Sequence, residues 1–382
     1  MSLPPISTID LRAEFPVLDE LVYLNHAGVA PIAGRAAKVM ADCARRAAQG
    51  QLADNDWYLK VLAVKAQCAE LVNARGKHEI AFIPNTTTGL GMLAGGLDWR
   101  PSDRVVITDV EYPANRYPWT GLKRRGVEVV EAKQGPDQRI DVDDVINLIN
   151  DRTRVVSLSH VQFGSGYKID LKPIADEVHA AGGLLCADAI QSVGVMSVDV
   201  QALGIDFLAA DGHKWMLGPE GAGFLYCEQD LCQQLRPPIS GWLGRYNHLD
   251  YGNYDERYYP DARRFEPGTW NINGIRGMGA AIELLLEVGL DTVWSRIDGL
   301  CQYLRGRLLE KGYDVVSPSG PNERSGIVAF DWPGQEGEHA RIVQRLGEQK
   351  IIIASRMGHL RVSPHFYNSI EQMDQVMDAL PT

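Results

Sequence analysis

Between residues 80 and 230 the chain alternates short, continuously apolar runs with amphipathic segments. Runs such as EIAFI, RVVITD and IDFLAAD have consecutive apolar residues, which predicts strands that are buried on both faces. Segments such as LKPIADEVHAAG have helical periodicity and lie between these runs. Strands of this kind, separated by helices, form a parallel sheet that helices cover on both sides. The pattern predicts an α/β fold whose ligands bind at the carboxyl ends of the strands.

The pattern changes after about residue 236. Residues 236–270 are rich in Tyr, Gly, Pro and Asp without periodicity, which predicts a long ordered loop with buried aromatic side chains. Helices and four short strands follow, with a tight hairpin at 357–358. We therefore predict a large, ligand-binding domain over 20–260 and a smaller α+β domain made of 1–19 and 270–382.

Composition excludes several classes of function. The formal net charge of −11 argues against binding to nucleic acid or to an anionic membrane. We find neither a signal peptide nor an apolar stretch of membrane-spanning length. The six cysteines have neither disulfide-like nor metal-ligand spacing. We expect a cytoplasmic protein with reduced thiols and no metal that acts on a small molecule.

Lys214 is the residue that most needs an explanation. It lies in FLAADGHKWMLGPEGAGFLYC, where two apolar runs meet at a glycine-rich turn. Most lysines are solvated surface residues. A lysine at a strand end inside a crevice instead has a lowered pKa and is nucleophilic. Such an amine suits a Schiff base with pyridoxal phosphate, which also needs a carboxylate, an aromatic face and a phosphate cradle.

Candidates for each requirement follow the predicted strands. Asp188 ends the run GGLLCAD and could pair with the ring nitrogen or cap a helix. Gln191 could donate to the phenolic oxygen. Asn85 and the threonines after it open a helix and suit either a phosphate or ordinary capping. Tyr112 offers an aromatic face, although a tyrosine packed in the core is the simpler interpretation.

A rival interpretation uses the same region. Gly89, Gly91 and Ala94, with Asp109 further along, mimic a dinucleotide-binding fingerprint and would indicate a nicotinamide-dependent oxidoreductase. That fingerprint requires its first glycine directly at the strand end, whereas PNTTT intervenes here. A module that binds a cofactor without catalysis is a third possibility, which the combined presence of Lys214 and the other candidates disfavours.

Several motifs, in this order, closely resemble the class V aminotransferase family over nearly the whole chain. They are YLNHAG, NTTTGL, EYPANRYPW, CADAIQSVGVMSVDVQALGIDFLAADGHKW, FEPGTWN and LRVSPHFYN. The family comprises fold-type I pyridoxal-phosphate enzymes, among them cysteine desulfurases, isopenicillin N epimerase-like proteins and kynureninases. The resemblance implies this fold, pyridoxal 5′-phosphate as the cofactor, and a homodimer with shared active sites.

The resemblance also implies roles at the cofactor ring. Lys214 matches the lysine that forms the Schiff base and then moves the α-proton. Asp188 matches the partner of the ring nitrogen, and Gln191 that of the phenolate. Tyr112 stands where the family usually stacks a histidine on the ring.

Four residues match phosphate-binding positions of the family. Thr86, Thr87 and His213 would hold the phosphate of their own subunit. Thr269 would reach the phosphate of the neighbouring subunit. Asp211 stands where desulfurases often have serine, and we expect its carboxylate to turn to a backbone amide or to His213.

On the substrate side, Arg361 matches the arginine that binds the substrate carboxylate, a bidentate interaction that lysine makes poorly. A surface arginine on an edge strand is the alternative. Asn25 and His26 would line the same side. No cysteine follows Cys301, and ASRMGHLRVS leaves no room for the loop on which desulfurases form a persulfide. We therefore expect an aminotransferase acting on an α-amino acid, with a β-eliminating C–S lyase or an epimerase as alternatives.

Overall fold

A computed structural model describes residues 3–6, 9–51, 55–334 and 337–381. The outer ends of the predicted small domain, residues 1 and 382, lie outside these described residues. The strands are β1 Val22–Tyr23, β2 Ile80–Ile83, β3 Arg104–Thr108, β4 Glu128–Ala132, β5 Thr153–Ser159, β6 Leu184–Asp188, β7 Phe207–Asp211, β8 Gly223–Cys227, β9 Asp314–Val315, β10 Val328–Asp331, β11 Ile351–Ile352, β12 Ala354–Arg356 and β13 His359–Val362.

The α-helices connect and cover these strands. They are α1 Leu11–Glu14, α2 Gly34–Ala48, α3 Asn55–Leu71, α4 Thr86–Gly96, α5 Tyr117–Thr120, α6 Val142–Ile146, α7 Leu171–Ala180, α8 Gln229–Gln234, α9 Ile272–Val288, α10 Leu290–Glu310, α11 His339–Glu348 and α12 Ile370–Ala379. Within the described ranges, none of these helices combines the length and the apolar character that crossing a bilayer requires.

The main sheet has seven strands among the described residues, in the order β2-β8-β7-β6-β5-β3-β4. Strands β3 to β7 pair in parallel, whereas β8 and β2 are antiparallel to their neighbours. Every residue of β2, β7 and β8 is buried, as their unbroken apolar sequences predict. The predicted α/β fold with a mainly parallel sheet is confirmed.

Alternate residues of each strand enter two cores, one on each face of the sheet. Val106, Val156 and Leu208 belong to one core. Val105 and Phe207, their sequence neighbours, belong to the other. Each such side chain contributes about 1.5–3 kcal/mol when fully buried. Apolar packing on both faces of the sheet therefore fixes the carboxyl ends of the strands.

A second sheet forms near the C-terminus. Within the described chain its strand order is β12-β13-β10-β9, all antiparallel. Met357 and Gly358 form the predicted hairpin turn with φ values of 53° and 86°. Strand β1 pairs in parallel with β11, and Asn25 bridges to Ser363, so an N-terminal segment joins the C-terminal part. The division into two domains stays a prediction.

The expectation that the aromatic residues of 236–270 are buried is wrong for several of them. Tyr251 and Tyr254 are 74% and 93% exposed. Arginines of the same segment cover other rings, and the Arg245 guanidinium lies 3.8 Å from the centre of the Tyr258 ring. Cation–π contacts and a surface location thus replace the predicted apolar packing.

Candidate active site

A cavity of about 370 Å³ opens at the carboxyl ends of the main-sheet strands. Most residues that the sequence singles out line it, namely Asn25, Thr86, Thr87, Tyr112, Asp188, Gln191, His213, Lys214 and Arg361. The strand ends bring them together because parallel strands present their carboxyl ends at the same edge. His26 and Thr269 are the exceptions.

Lys214 lies in the connection between β7 and β8 and is 8% exposed. The turn is tight, because the Gly212 amide donates to the Ala222 carbonyl at 2.9 Å. A Cβ added at Gly212 would lie 2.7 Å from that carbonyl oxygen, so the position requires glycine. Within the described part of the chain, the Lys214 amine has neither a hydrogen bond nor an ion pair. Burial lowers its pKa to about 8, which favours the nucleophilic neutral amine.

Asp188 ends β6 and is 2% exposed. One backbone amide, that of Ile190, donates to its carboxylate at 3.2 Å. Burial raises the pKa of Asp188 to about 7, and the nearby charge of Glu111 adds to this effect. The carboxylate is thus poorly compensated in the chain alone. A protonated ring nitrogen would supply the positive partner that it lacks.

The N-terminus of α4 faces the same cavity. Asn85 caps this helix by accepting a hydrogen bond from the Thr88 amide at 2.9 Å. The Thr86 hydroxyl is buried and has no hydrogen-bond partner among the described residues. Free amides at a helix N-terminus and an unpaired hydroxyl fit a phosphate group. The residues present therefore fit the phosphate of the predicted cofactor, with Thr87 beside them.

Asp211 and His213 also line the cavity. The Asp211 carboxylate accepts a hydrogen bond from the Gly212 amide at 2.8 Å. Its other oxygen lies 3.0 Å from His213 Nδ1, in a contact that does not have hydrogen-bond geometry. Asp211 thus turns to both partners that the sequence suggests.

The glycine pattern that suggested a dinucleotide site has a packing explanation. A Cβ at Gly89 would lie 2.7 Å from Ile83 Cδ1 and 2.8 Å from Ala209 Cβ. Gly89 therefore lets α4 approach the sheet closely. Asp109 accepts a hydrogen bond from the Gln134 amide at 3.0 Å and so has a local structural role.

Tyr112 and Gln191 border the place where a cofactor ring fits. The Tyr112 ring centre lies 5.5 Å from Lys214 Nζ and 5.1 Å, edge to face, from the ring centre of Phe163. Gln191 accepts from Trp215 Nε1 at 2.8 Å and donates to the Ala27 carbonyl at 3.0 Å. One amide hydrogen of Gln191 remains for the phenolic oxygen that the family resemblance assigns to it.

Arg361 is only 1% exposed. It lies on β13, between β12 and β10, so it is not a surface arginine on an edge strand. Its guanidinium donates to the Phe163 carbonyl at 2.7 Å and to Asn25 Oδ1 at 3.2 Å. Its Nε has no partner in the described ranges. A buried cation without a carboxylate partner fits a carboxylate ligand.

The prediction that His26 lines the substrate side is wrong. Its ring nitrogens contact the Tyr367 hydroxyl at 2.6 Å and the Ser363 carbonyl at 2.8 Å, and burial lowers its pKa to about 4. Asn25 bridges to Ser363, and His26 follows it in a turn that the Gly28 amide closes on the Asn25 carbonyl at 2.9 Å. Asn25 lines the cavity, whereas the His26 side chain is buried in the core.

Thr269 is exposed and lies outside the cavity of its own chain. Its role toward a neighbouring subunit stays a prediction.

Glu111 is a residue that the sequence search missed. Its buried carboxylate accepts hydrogen bonds from Thr108 Oγ1 and Asn115 Nδ2, each at 2.9 Å, and from the Ser159 amide at 3.1 Å. It therefore ties the ends of β3 and β5 together directly before Tyr112. The available signal was its position just past a strand end, one residue before a candidate.

With the site described, comparisons identify the family. The family model described as Aminotransferase class-V matches residues 26–376. The chain belongs to the class V aminotransferase family. The pyridoxal 5′-phosphate cofactor that the resemblance implies is confirmed by this membership.

Similar proteins in this family include a probable cysteine desulfurase of Methanothermobacter thermautotrophicus. It is 30% identical over 394 aligned positions, which cover 98% of this chain and 97% of the relative. The apo structure of a cysteine desulfurase from Thermococcus onnurineus NA1 has a TM-score of 0.88 at 23% identity and covers 99% and 98% of the two chains. The cystine C–S lyase C-DES, solved with its product cysteine persulfide, has a TM-score of 0.86 at 24% identity and covers 95% and 98%.

Proposed function

We propose that this class V protein is a C–S lyase. It acts on an α-amino acid that carries sulfur on its β-carbon and releases that sulfur with a small-molecule product. The observation that carries the proposal is the composition of the cavity. Lys214 and Arg361, which has no carboxylate partner among the described residues, both line it, whereas all six cysteines are buried elsewhere.

Arg361 binds the substrate α-carboxylate, and its contacts to the Phe163 carbonyl and to Asn25 fix the direction of the guanidinium. Lys214 accepts the α-proton as a general base, because its lowered pKa gives it a larger neutral fraction near neutral pH than an ordinary lysine has. Asp188 would pair with the ring nitrogen of bound pyridoxal phosphate and keep it protonated. Pyridoxal phosphate, when bound, supplies the aldehyde that condenses with the substrate amine and the ring that withdraws electrons.

The placement of the cysteines argues against sulfur transfer to the enzyme. Burial raises the pKa of the Cys68, Cys186, Cys227 and Cys301 thiols. A buried thiol in apolar surroundings is inert, because the thiolate is the nucleophile. The tight hairpin of β12 and β13 is consistent with the expectation that persulfide chemistry does not occur here.

The relatives also support C–S chemistry over transamination. Two of the proteins described above are named as cysteine desulfurases and one as a cystine C–S lyase. The aminotransferase reaction expected from the sequence is not confirmed, although one relative of 30% identity, YcbU of Bacillus subtilis, is named an uncharacterized aminotransferase. We further propose a homodimer in which Thr269 completes the partner's phosphate cradle, and the cytoplasmic location stays a prediction.

Product analysis tests this function. The holoenzyme should convert cystine or an S-substituted cysteine, with one water, to pyruvate, ammonia and the corresponding persulfide or thiol. Mass spectrometry should find no persulfide on any protein cysteine after turnover. Amino transfer that depends on an added keto acid, without release of sulfur, would replace the proposal with the aminotransferase reaction. A persulfide on the protein that is needed for turnover would identify a desulfurase.

A further inference from the structure

Arg356, at the end of β12, lines the same cavity as Arg361. In the hairpin, Ala354 pairs with Arg361 and Arg356 pairs with His359. Cross-strand partners share a face of the sheet, as do residues two positions apart. The two arginines are therefore diagonal neighbours on one face, and such neighbours have Cβ atoms roughly 7–8 Å apart.

The hairpin holds Arg356 in a defined place. Its two-residue turn leaves little freedom, because Met357 and Gly358 both have left-handed backbone conformations. The Met357 side chain packs on Gly164, where an added Cβ would lie 2.9 Å from Met357 Cγ. The tip is thus docked on the segment that also supplies the carbonyl of Phe163 to Arg361.

Arg356 has no carboxylate partner within the described ranges. Among the described residues, its guanidinium donates only to the neighbouring Ser355 carbonyl, at 2.7 Å. After burial itself, the positive charge of Arg356 is the further cause that lowers the pKa of Arg361. It also helps to lower the pKa of Lys214, which places its charge close to the reacting end of the cavity.

The charges of the cavity leave Arg356 without a role in the reaction described so far. Asp188 would pair with the ring nitrogen of bound pyridoxal phosphate, and Asp211 contacts the Gly212 amide and His213. Arg361 takes the α-carboxylate of the substrate. Arg356 is then a second cation, at the exposed end of the cavity, that faces a further part of the substrate.

We propose that Arg356 selects substrates with a second carboxylate on the sulfur substituent. This inference rests on the proposed C–S lyase function, because the second carboxylate is carried by the leaving sulfur group. Two carboxylates joined through a disulfide or thioether, as in a diamino diacid, can span two guanidiniums at this spacing. Substrates with short neutral substituents would leave Arg356 unpaired.

An isosteric substrate pair tests the selectivity. S-carboxymethylcysteine and S-carbamoylmethylcysteine differ only in the charge of the distal group. The ratio of kcat/KM for S-carboxymethylcysteine to kcat/KM for S-carbamoylmethylcysteine should be roughly 5- to 10-fold lower in the Arg356→Gln holoenzyme than in the wild type. This loss lies between the effect of an exposed ion pair and that of a charge-assisted hydrogen bond. The matched control is Arg124→Gln. Arg124 is exposed and precedes β4 of the main sheet, away from the carboxyl ends of the strands where the cavity lies, so this substitution should leave the ratio unchanged.

A binding measurement separates this inference from the proposed reaction. Calorimetry should show that 3,3′-thiodipropionate binds the wild-type holoenzyme more tightly than its monoamide, and that Arg356→Gln removes the difference. If the wild type releases no sulfur from any S-substituted cysteine, the reaction is wrong, and this binding difference alone still decides the role of Arg356. An equal effect of the substitution on both members of each pair, or no effect, overturns the inference.

Discussion

Two buried lysines in different regions have opposite surroundings. Lys65 of α3 is 1% exposed, and its amine lies 2.8 Å from the Glu266 carboxylate and 5.4 and 5.6 Å from the ring centres of Phe82 and Trp270. Lys214 is 8% exposed and faces a cavity without a hydrogen-bonded carboxylate in the described part of the chain. The lysine amine thus has a carboxylate partner at Lys65 and, in the described residues, lacks one at Lys214.

The difference shows that burial alone does not mark a reactive amine. The Lys65–Glu266 ion pair fixes structure, since the same carboxylate also accepts a hydrogen bond from the Phe82 amide at 2.8 Å. Lys214 has no hydrogen-bonded carboxylate among the described residues, and its burial outweighs the charge of Asp188 and lowers its pKa. We infer that Lys214 is the reactive amine because the fold gives it no hydrogen-bonded carboxylate among the described residues.

The largest expected effect is the loss of turnover in Lys214→Ala. We expect kcat to fall by at least about 10³-fold, because both the covalent anchor and the proton carrier are lost. Borohydride should attach pyridoxal phosphate to the peptide that contains Lys214 and not to the peptide that contains Lys65, as peptide mass spectrometry can show. Attachment of pyridoxal phosphate to Lys65 would show that the unpaired amine of Lys214 is not the reactive one.

Lys65→Met should have the complementary effect. Removing the lysine leaves the Glu266 charge buried and unpaired, so we expect the free energy of unfolding to fall by about 3–5 kcal/mol, measured by urea denaturation. The folded fraction should keep its turnover. Lys65→Met combined with Glu266→Gln should recover part of the stability. A fully stable but inactive Lys65→Met protein would show that the pair serves the reaction instead.

Arg361 extends the comparison to a second uncompensated cation. Arg361→Ala should lower kcat/KM roughly 10- to 150-fold, because a charge-assisted hydrogen bond to the substrate carboxylate is lost. Arg361→Lys should be nearly as damaging, since an ammonium cannot match both carboxylate oxygens. Steady-state kinetics with α-amino acids check this, and an unchanged kcat/KM would indicate a structural arginine.

The smallest effect is a pH dependence. In the cofactor-free protein, reductive methylation of Lys214 should rise with pH around a midpoint near 8. Asp188→Asn should shift that midpoint downward, because the Asp188 charge raises the pKa of Lys214. Between pH 8 and 10.5 the unfolded chain binds a proton that folded Lys214 lacks, so the Lys214 contribution to stability grows with pH in this window. A midpoint near 10.5 in the folded protein would contradict this account.

Local patterns in the sequence were sufficient to predict the sheet and much of the cavity. Continuous apolar runs determine strands that are buried on both faces, and residues that directly follow them, such as Asp188, meet at one edge. These inferences need only short-range order. Lys214 could be recognised in the same way, because its glycine-rich turn lies between two such runs.

Features that depend on distant pairing could not be predicted. The inward turn of His26 depends on the bridge between Asn25 and Ser363, which lie at opposite ends of the chain. The Lys65–Glu266 pair joins residues 201 positions apart. Nothing in the local pattern around any of these residues specifies its partner.

The hydrogen bond between Arg361 and Asn25 joins residues 336 positions apart. This separation determines when, during synthesis of the chain, the contact can form. Synthesis proceeds from the N-terminus, so the ribosome completes the segment from Thr86 to Lys214 well before it reaches Arg361. Arg361 can therefore meet Asn25 only after nearly the whole chain has been made. The substrate-binding side of the cavity is thus the last part of the site that synthesis can complete.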